Sequence, residues 1–201
     1  MRHSQSAVRF RRTSAVEYLL AEGFAVDERR QRVLATIEEA FRGVELGDGV
    51  SLHETVVIDN HRSSQERRAA REPDEKQDWR KLIGDPELTS ICGVGGLSFY
   101  DAVGLRFHLP AYLSLAVIDF DRERAGNVME SLMFHLTVIC EYNAARFSIL
   151  SRAQRQSVRD ALTFLQDEYA LQSTELDCAL AEYWSLEPGL TRRAEPDAAA
   201  D

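Results

Sequence analysis

Apolar side chains recur at steps of three and four along most of this chain, and that period limits its fold more than any other feature. Val33, Ile37, Phe41 and Val44 line one face of a segment from about Asp27 to Arg42. Val128, Leu132, Leu136 and Ile139 repeat the pattern, as do Val158, Ala161, Leu162, Leu165 and Tyr169. The last such set is Leu176, Ala179, Leu180, Tyr183 and Trp184. Residues spaced this way share a face of an α-helix, and an apolar face has to be buried against another element. Start signals fall at matching offsets. Ser51-Leu-His-Glu54 and Ser63-Ser-Gln-Glu66 are capping-box patterns, and Ser151 and Ser173 precede the last two periodic runs. Asp85-Pro86 sets a cap before a proline at a first helical position, and Gly43 closes the first long helix. Ser14 to Glu22 reads as a short helix ended by Gly23. Trp79 is the one large apolar side chain between Arg62 and Lys81, so it is expected to pin that segment to the core.

One segment departs from the helical period. In Leu97–Val117, Asp101 and Gly104 occupy the favoured first and fourth positions of a type I turn. With Ala102 to Gly104 as a three-residue loop, Tyr100 pairs with Arg106, Phe99 with Phe107, Ser98 with His108 and Leu97 with Leu109. Every pair matches in character, and a one-residue slip would set Phe99 against Arg106. The expectation is a β-hairpin with Leu97, Phe99, Phe107 and Leu109 inward and Ser98, Tyr100, Arg106 and His108 outward. Pro110 would then open the following helix. The fold class that results is mainly α with a small β-hairpin, a compact domain of about six to eight helices. Residues 1–25 are read as a leader, 26–186 as a single domain and 187–201 as a tail.

Charge and cysteine usage narrow the function classes. The formal charge is −9. Residues 1–12 carry Arg2, Arg9, Arg11 and Arg12 with no acid, so the remaining chain is at −13 (−9 less +4). An acidic body opposes a nucleic-acid surface, which draws on clustered Lys and Arg. Cys92, Cys140 and Cys178 are widely spaced, without the pairs that zinc and redox sites use. No apolar run approaches the length of a membrane span. A cytoplasmic location with no membrane partner is expected.

Each catalytic pattern that the sequence begins is broken at a defined residue. His53-Glu54 begins an H-E-x-x-H motif, but Val57 stands where the second His belongs. His61 lies two helical turns beyond His53, too far for joint ligation unless the chain folds back. Gly93-Val-Gly-Gly96 has Ser98 in place of the third dinucleotide-loop glycine. There is no phosphate loop and no nucleophile elbow. Cys92 with His108 is a conceivable nucleophile pair that no spacing supports. His135, on an apolar run, reads as a hydrogen-bonded core or boundary residue, and Met129 and Met133 as packing. No metal and no cofactor is expected. What remains is the outward hairpin face: Tyr100, Asp101, Arg106 and His108 are the candidate ligand-binding residues, suited to a small anion.

The run LSFYDAVGLRFHLPAYL, with Asp78-Trp79 upstream and ILSRAQRQSVRDALTFL downstream, resembles an uncharacterised bacterial domain family over roughly residues 30–168. That resemblance implies no activity and no catalytic residues. The leading functional expectation is a soluble, non-enzymatic interaction protein, an accessory or immunity-like binder with a protein partner. The alternative is an enzyme or small-anion-binding protein using the polar hairpin face.

Overall fold

The computed structural model describes residues 28–92, 96–118 and 126–185. Among them are ten α-helices and no strand: α1 (Glu28–Ala40), α2 (Leu52–Asp59), α3 (Ser64–Arg71), α4 (Pro86–Cys92), α5 (Gly96–Phe99), α6 (Ala102–Ile118), α7 (Gly126–Thr137), α8 (Glu141–Phe147), α9 (Arg152–Glu168) and α10 (Thr174–Cys178). A 3₁₀ turn, Trp79–Leu82, lies between α3 and α4, and a π-helical turn, Ala179–Tyr183, continues α10. The expected leader and tail, the 14–22 helix, the Asp121–Asn127 break and the Cys92 side chain fall wholly or mainly outside the described residues.

Helix α6 is the centre of the molecule. It packs against α1, α7, α8, α9 and the 3₁₀ turn, and Gly104, Leu105 and every residue from Phe107 to Val117 are buried. Helices α1 and α9 lie side by side, Val33, Leu34 and Ile37 facing Ala161, Leu162 and Leu165 across the core. The two tryptophans act as bolts. Trp79 Nε1 donates to the Phe41 carbonyl at 3.0 Å, just beyond the end of α1. Trp184 Nε1 donates to the Leu136 carbonyl at 2.8 Å, at the end of α7. Each indole satisfies a carbonyl at the C-terminal end of a helix, where intrahelical donors run out, and buries its ring in doing so.

The β-hairpin is the one element the structure replaces. Residues 96–99 form α5, Tyr100 and Asp101 link it to α6, and the loop expected at 102–104 is the first turn of α6. Asp101 Oδ1 accepts the Gly104 N–H at 2.7 Å. Asp performs this service both at the head of a type I turn and at a helix N-cap, so the local signal is the same for either. The residues after Gly104 decide between the two. From Leu105 to Val117 the only charged residue is Arg106 besides the titratable His108, and a helix can bury such a run against neighbours on every side. A hairpin buries one face. A helix buried all round has no polar stripe, so the apparent alternation carried no information. Pro110 therefore sits inside α6 rather than at its start, leaving the Arg106 carbonyl without its i+4 donor.

The start of α6 is tied to the 47–50 loop at very short range. Asp101 Oδ1 also accepts the Val50 N–H at 3.0 Å. A Cβ on Gly104 would lie 2.3 Å from the Val50 carbonyl oxygen, and one on Gly49 would lie 2.5 Å from the Gly104 nitrogen. Arg71, at the end of α3, fastens the loop from the other side through the Gly47 and Gly49 carbonyls and the Glu54 carboxylate. Glu54 in turn accepts the Ser51 N–H at 2.9 Å, as the capping-box pattern implied. The end of α2 is a Schellman turn, with Arg62 N–H bonded to Val57 O and His61 N–H to Ile58 O. His61 holds the left-handed position there at φ 51°, which accounts for it without any ligand.

Candidate functional site

The four residues singled out from the sequence are placed in three different environments. Tyr100 and His108 are both buried, stacked at 4.3 Å between ring centroids. The Tyr100 hydroxyl lies 3.3 Å from that of Tyr112. His108 Nδ1 donates to the Gly104 carbonyl at 2.7 Å, so Nε2 carries the lone pair, and that atom is buried without a hydrogen-bond partner among the described residues. Burial pushes the imidazole down to about 4, so it is neutral at physiological pH. Asp101 caps α6. Arg106 is half-buried, two residues and about 200° around the helix from His108. Only Tyr100 and His108 are brought together. The shared outward face required a ladder that does not form.

A polar cluster the sequence did not reveal joins α5, α7 and α8. Arg146 is 4% exposed, and its polar partners among the described residues are neutral. Its guanidinium donates to the carbonyls of Leu97 at 2.6 Å and Tyr100 at 3.3 Å, to Asn143 Oδ1, and to His135 Nδ1 at 3.3 Å. Because a guanidinium only donates, His135 Nδ1 must accept. Nε2 then carries the proton and donates to Ser98 Oγ at 3.2 Å. Desolvation, reinforced by the Arg146 charge, lowers the His135 pKa and keeps that tautomer neutral. This direction disqualifies Ser98 and His135 as a nucleophile–base pair, since the ring already donates to the hydroxyl it would have to deprotonate.

The same cluster holds an exposed ring in place. Tyr142 is 55% exposed, yet its hydroxyl donates to the Ser98 carbonyl at 2.8 Å and Arg146 lies 4.4 Å from its ring centroid. Phe134, 58% exposed, meets His135 edge-on at 5.3 Å. Val138, just past the end of α7, is exposed as well, so the α7–α8 junction carries three exposed apolar side chains, Phe134, Val138 and Tyr142. Among residues 128–149 the exposed charged side chains are Glu130 and Glu141, both acidic.

On another part of the surface, a cleft of about 460 Å³ is lined by Leu52, His53, Asp74, Lys81, Asp85 and Glu87, among others. His53 contacts both Asp74 and Glu87 there. Among the described residues no group of three or more His, Cys, Asp or Glu side chains is arranged to hold a metal ion. No helix among them is long and apolar enough to cross a membrane. The Cys140 and Cys178 thiols are free and exposed.

A family model described as a family of unknown function (DUF6714) matches residues 29–187. No curated protein and no solved structure matches the chain.

Proposed function

The chain belongs to that family of unknown function, and from this starting point we infer that it works as a non-enzymatic protein-binding module through the exposed apolar side chains at the α7–α8 junction, Phe134, Val138 and Tyr142. The observation that carries this reading is Tyr142, an exposed aromatic ring held at its hydroxyl by a backbone carbonyl and across its ring face by a buried arginine. Desolvating a guanidinium without a carboxylate partner is costly, and here the cation organises a surface ring. Aromatic anchors held in their bound conformation are what interface hot spots consist of, because little conformational entropy remains to be lost. The acidic flanks, Glu130 and Glu141, and the net charge of −9 favour a partner that presents apolar side chains bordered by Lys or Arg. A bacterial, cytoplasmic accessory or immunity-like role suits such a module.

The test compares wild type with the Phe134→Asp, Val138→Asp double variant as baits in native lysate. One partner is expected at near-stoichiometric yield with wild type, released as salt is raised and lost with the variant at unchanged Tm. Absence of such a partner, or equal capture by the variant, overturns the reading. A wild-type dimer by light scattering that the variant abolishes would instead assign the face to self-association.

A further inference from the structure

His53 lies in the first turn of α2, and both of its ring nitrogens face carboxylates from other elements. Nδ1 contacts Asp74 Oδ1, and the His53 backbone N–H donates to Asp74 Oδ2 at 3.0 Å. Nε2 lies 3.0 Å from Glu87 Oε2, in the first turn of α4. A neutral imidazole has one N–H and one lone pair. It can satisfy one of these carboxylates, leaving the other facing it acceptor to acceptor. Only the doubly protonated ring complements both.

The two carboxylates are unequal. The Asp74 side chain is 4% exposed and accepts from both the ring and the backbone of His53, so a neutral ring keeps its proton on Nδ1. The Glu87 side chain is 58% exposed and has water to turn to. We propose that His53 is a proton-operated clasp, which ties α4 to α2 across the cleft when protonated and releases Glu87, opening the α4 side of the cleft, when neutral. The other charged groups lining the cleft are Glu75, Lys81 and Asp85. Lys81 is paired with Glu75, and Asp85 Oδ1 caps the Glu87 N–H at 2.9 Å. On its own helix, Glu54 turns away to Arg71 and Arg67. The negative excess around the ring supports the protonated form: desolvation opposes it, but Asp74 and Glu87 outweigh that and raise the His53 pKa above 6.5.

An NMR titration of the full chain tests the clasp by following the His53 ring and the α4 backbone amides together, with amide exchange corrected for its intrinsic pH dependence. In wild type, the amides of residues 87–92 are expected to titrate with the His53 midpoint. Their protection should fall about two- to fivefold above it, the scale of a solvent-exposed ion pair. Glu87→Gln can donate to or accept from the ring, so it should abolish the α4 response and lower the His53 midpoint at unchanged Tm. The proposal fails if the α4 amides ignore the His53 midpoint in wild type, or if Glu87→Gln leaves that midpoint where it was.

Discussion

Replacing Gly104 by Ala separates local propensity from tertiary packing, because the two give opposite signs. Within a helix, Gly→Ala is favourable by about 1 kcal/mol in an interior position and by less in the first turn. The crossing with the 47–50 loop opposes it. The new methyl would stand 2.3 Å from the Val50 carbonyl oxygen and 2.9 Å from Asp101 Oδ1, and the first of these is backbone, held by Arg71 through its neighbour Gly49. Relieving the overlap means moving the loop by roughly 1 Å away from α6 to reach an ordinary van der Waals separation. Overpacking of this kind costs about 1–3 kcal/mol, and the stretched Val50–Asp101 hydrogen bond about another 1. Less a first-turn propensity gain of about 0.5 kcal/mol, the net is a destabilisation of about 1.5–3.5 kcal/mol, or roughly 3–14 °C in Tm for a chain of this size. Urea unfolding, with Gly43→Ala as control, reads it directly. Gly43 is at φ +71° with nothing among the described residues within 4 Å of an added Cβ, so it reports left-handed strain, about 1–2 kcal/mol. A Gly104→Ala protein as stable as wild type would refute the close crossing.

Protonation and single-residue changes have defined outcomes elsewhere in the molecule. His108 is depressed to about 4 in the folded state, so the unfolded chain binds its proton first. Folding stability is full above 6.5 and falls as pH drops from 6.5 through 4, by roughly 3 kcal/mol for this group; His135 is shifted the same way. His108→Gln is expected to flatten that acid limb in pH-dependent denaturant melts. His53 has the opposite sign: its raised pKa adds stability that is complete below 6.5 and is lost as pH climbs through the folded value. His61→Gly should raise stability by about 1 kcal/mol in thermal melts, since His61 is exposed and glycine meets φ 51° without strain. Arg146→Met strands the buried Leu97 and Tyr100 carbonyls and should cost about 2–6 kcal/mol. Tyr142 should become mobile on the nanosecond scale in the same variant, read by side-chain NMR relaxation.

The helices are legible wherever an apolar stripe and a cap coincide. Ser63 and Glu66 satisfy each other's backbone donors as their spacing implied, and Ser151 with Gln154 does the same at the head of α9. The candidate site was far less legible. A two-residue alternation predicts an outward face for Tyr100, Arg106 and His108, and a helix buried on nearly every side reproduces that alternation by chance. Arg146 gave no signal at all, because its partners are carbonyls 46 and 49 residues away in sequence. His53 stood out only as half of a failed metal motif, and its clasp depends on Asp74 and Glu87 arriving from separate elements.

The chain's sequence alone determined that it would be a helical domain, where most of its helices begin, and that both tryptophans would be buried, since these depend on period, caps and side-chain size. Tertiary structure decided the state of residues 97–117, because Asp101 serves a turn and a helix equally and only the neighbours surrounding α6 favour burial on every side. It also decided which polar groups meet. A hydrogen bond is a matter of a few tenths of an ångström between atoms that the chain brings together only once its core has closed.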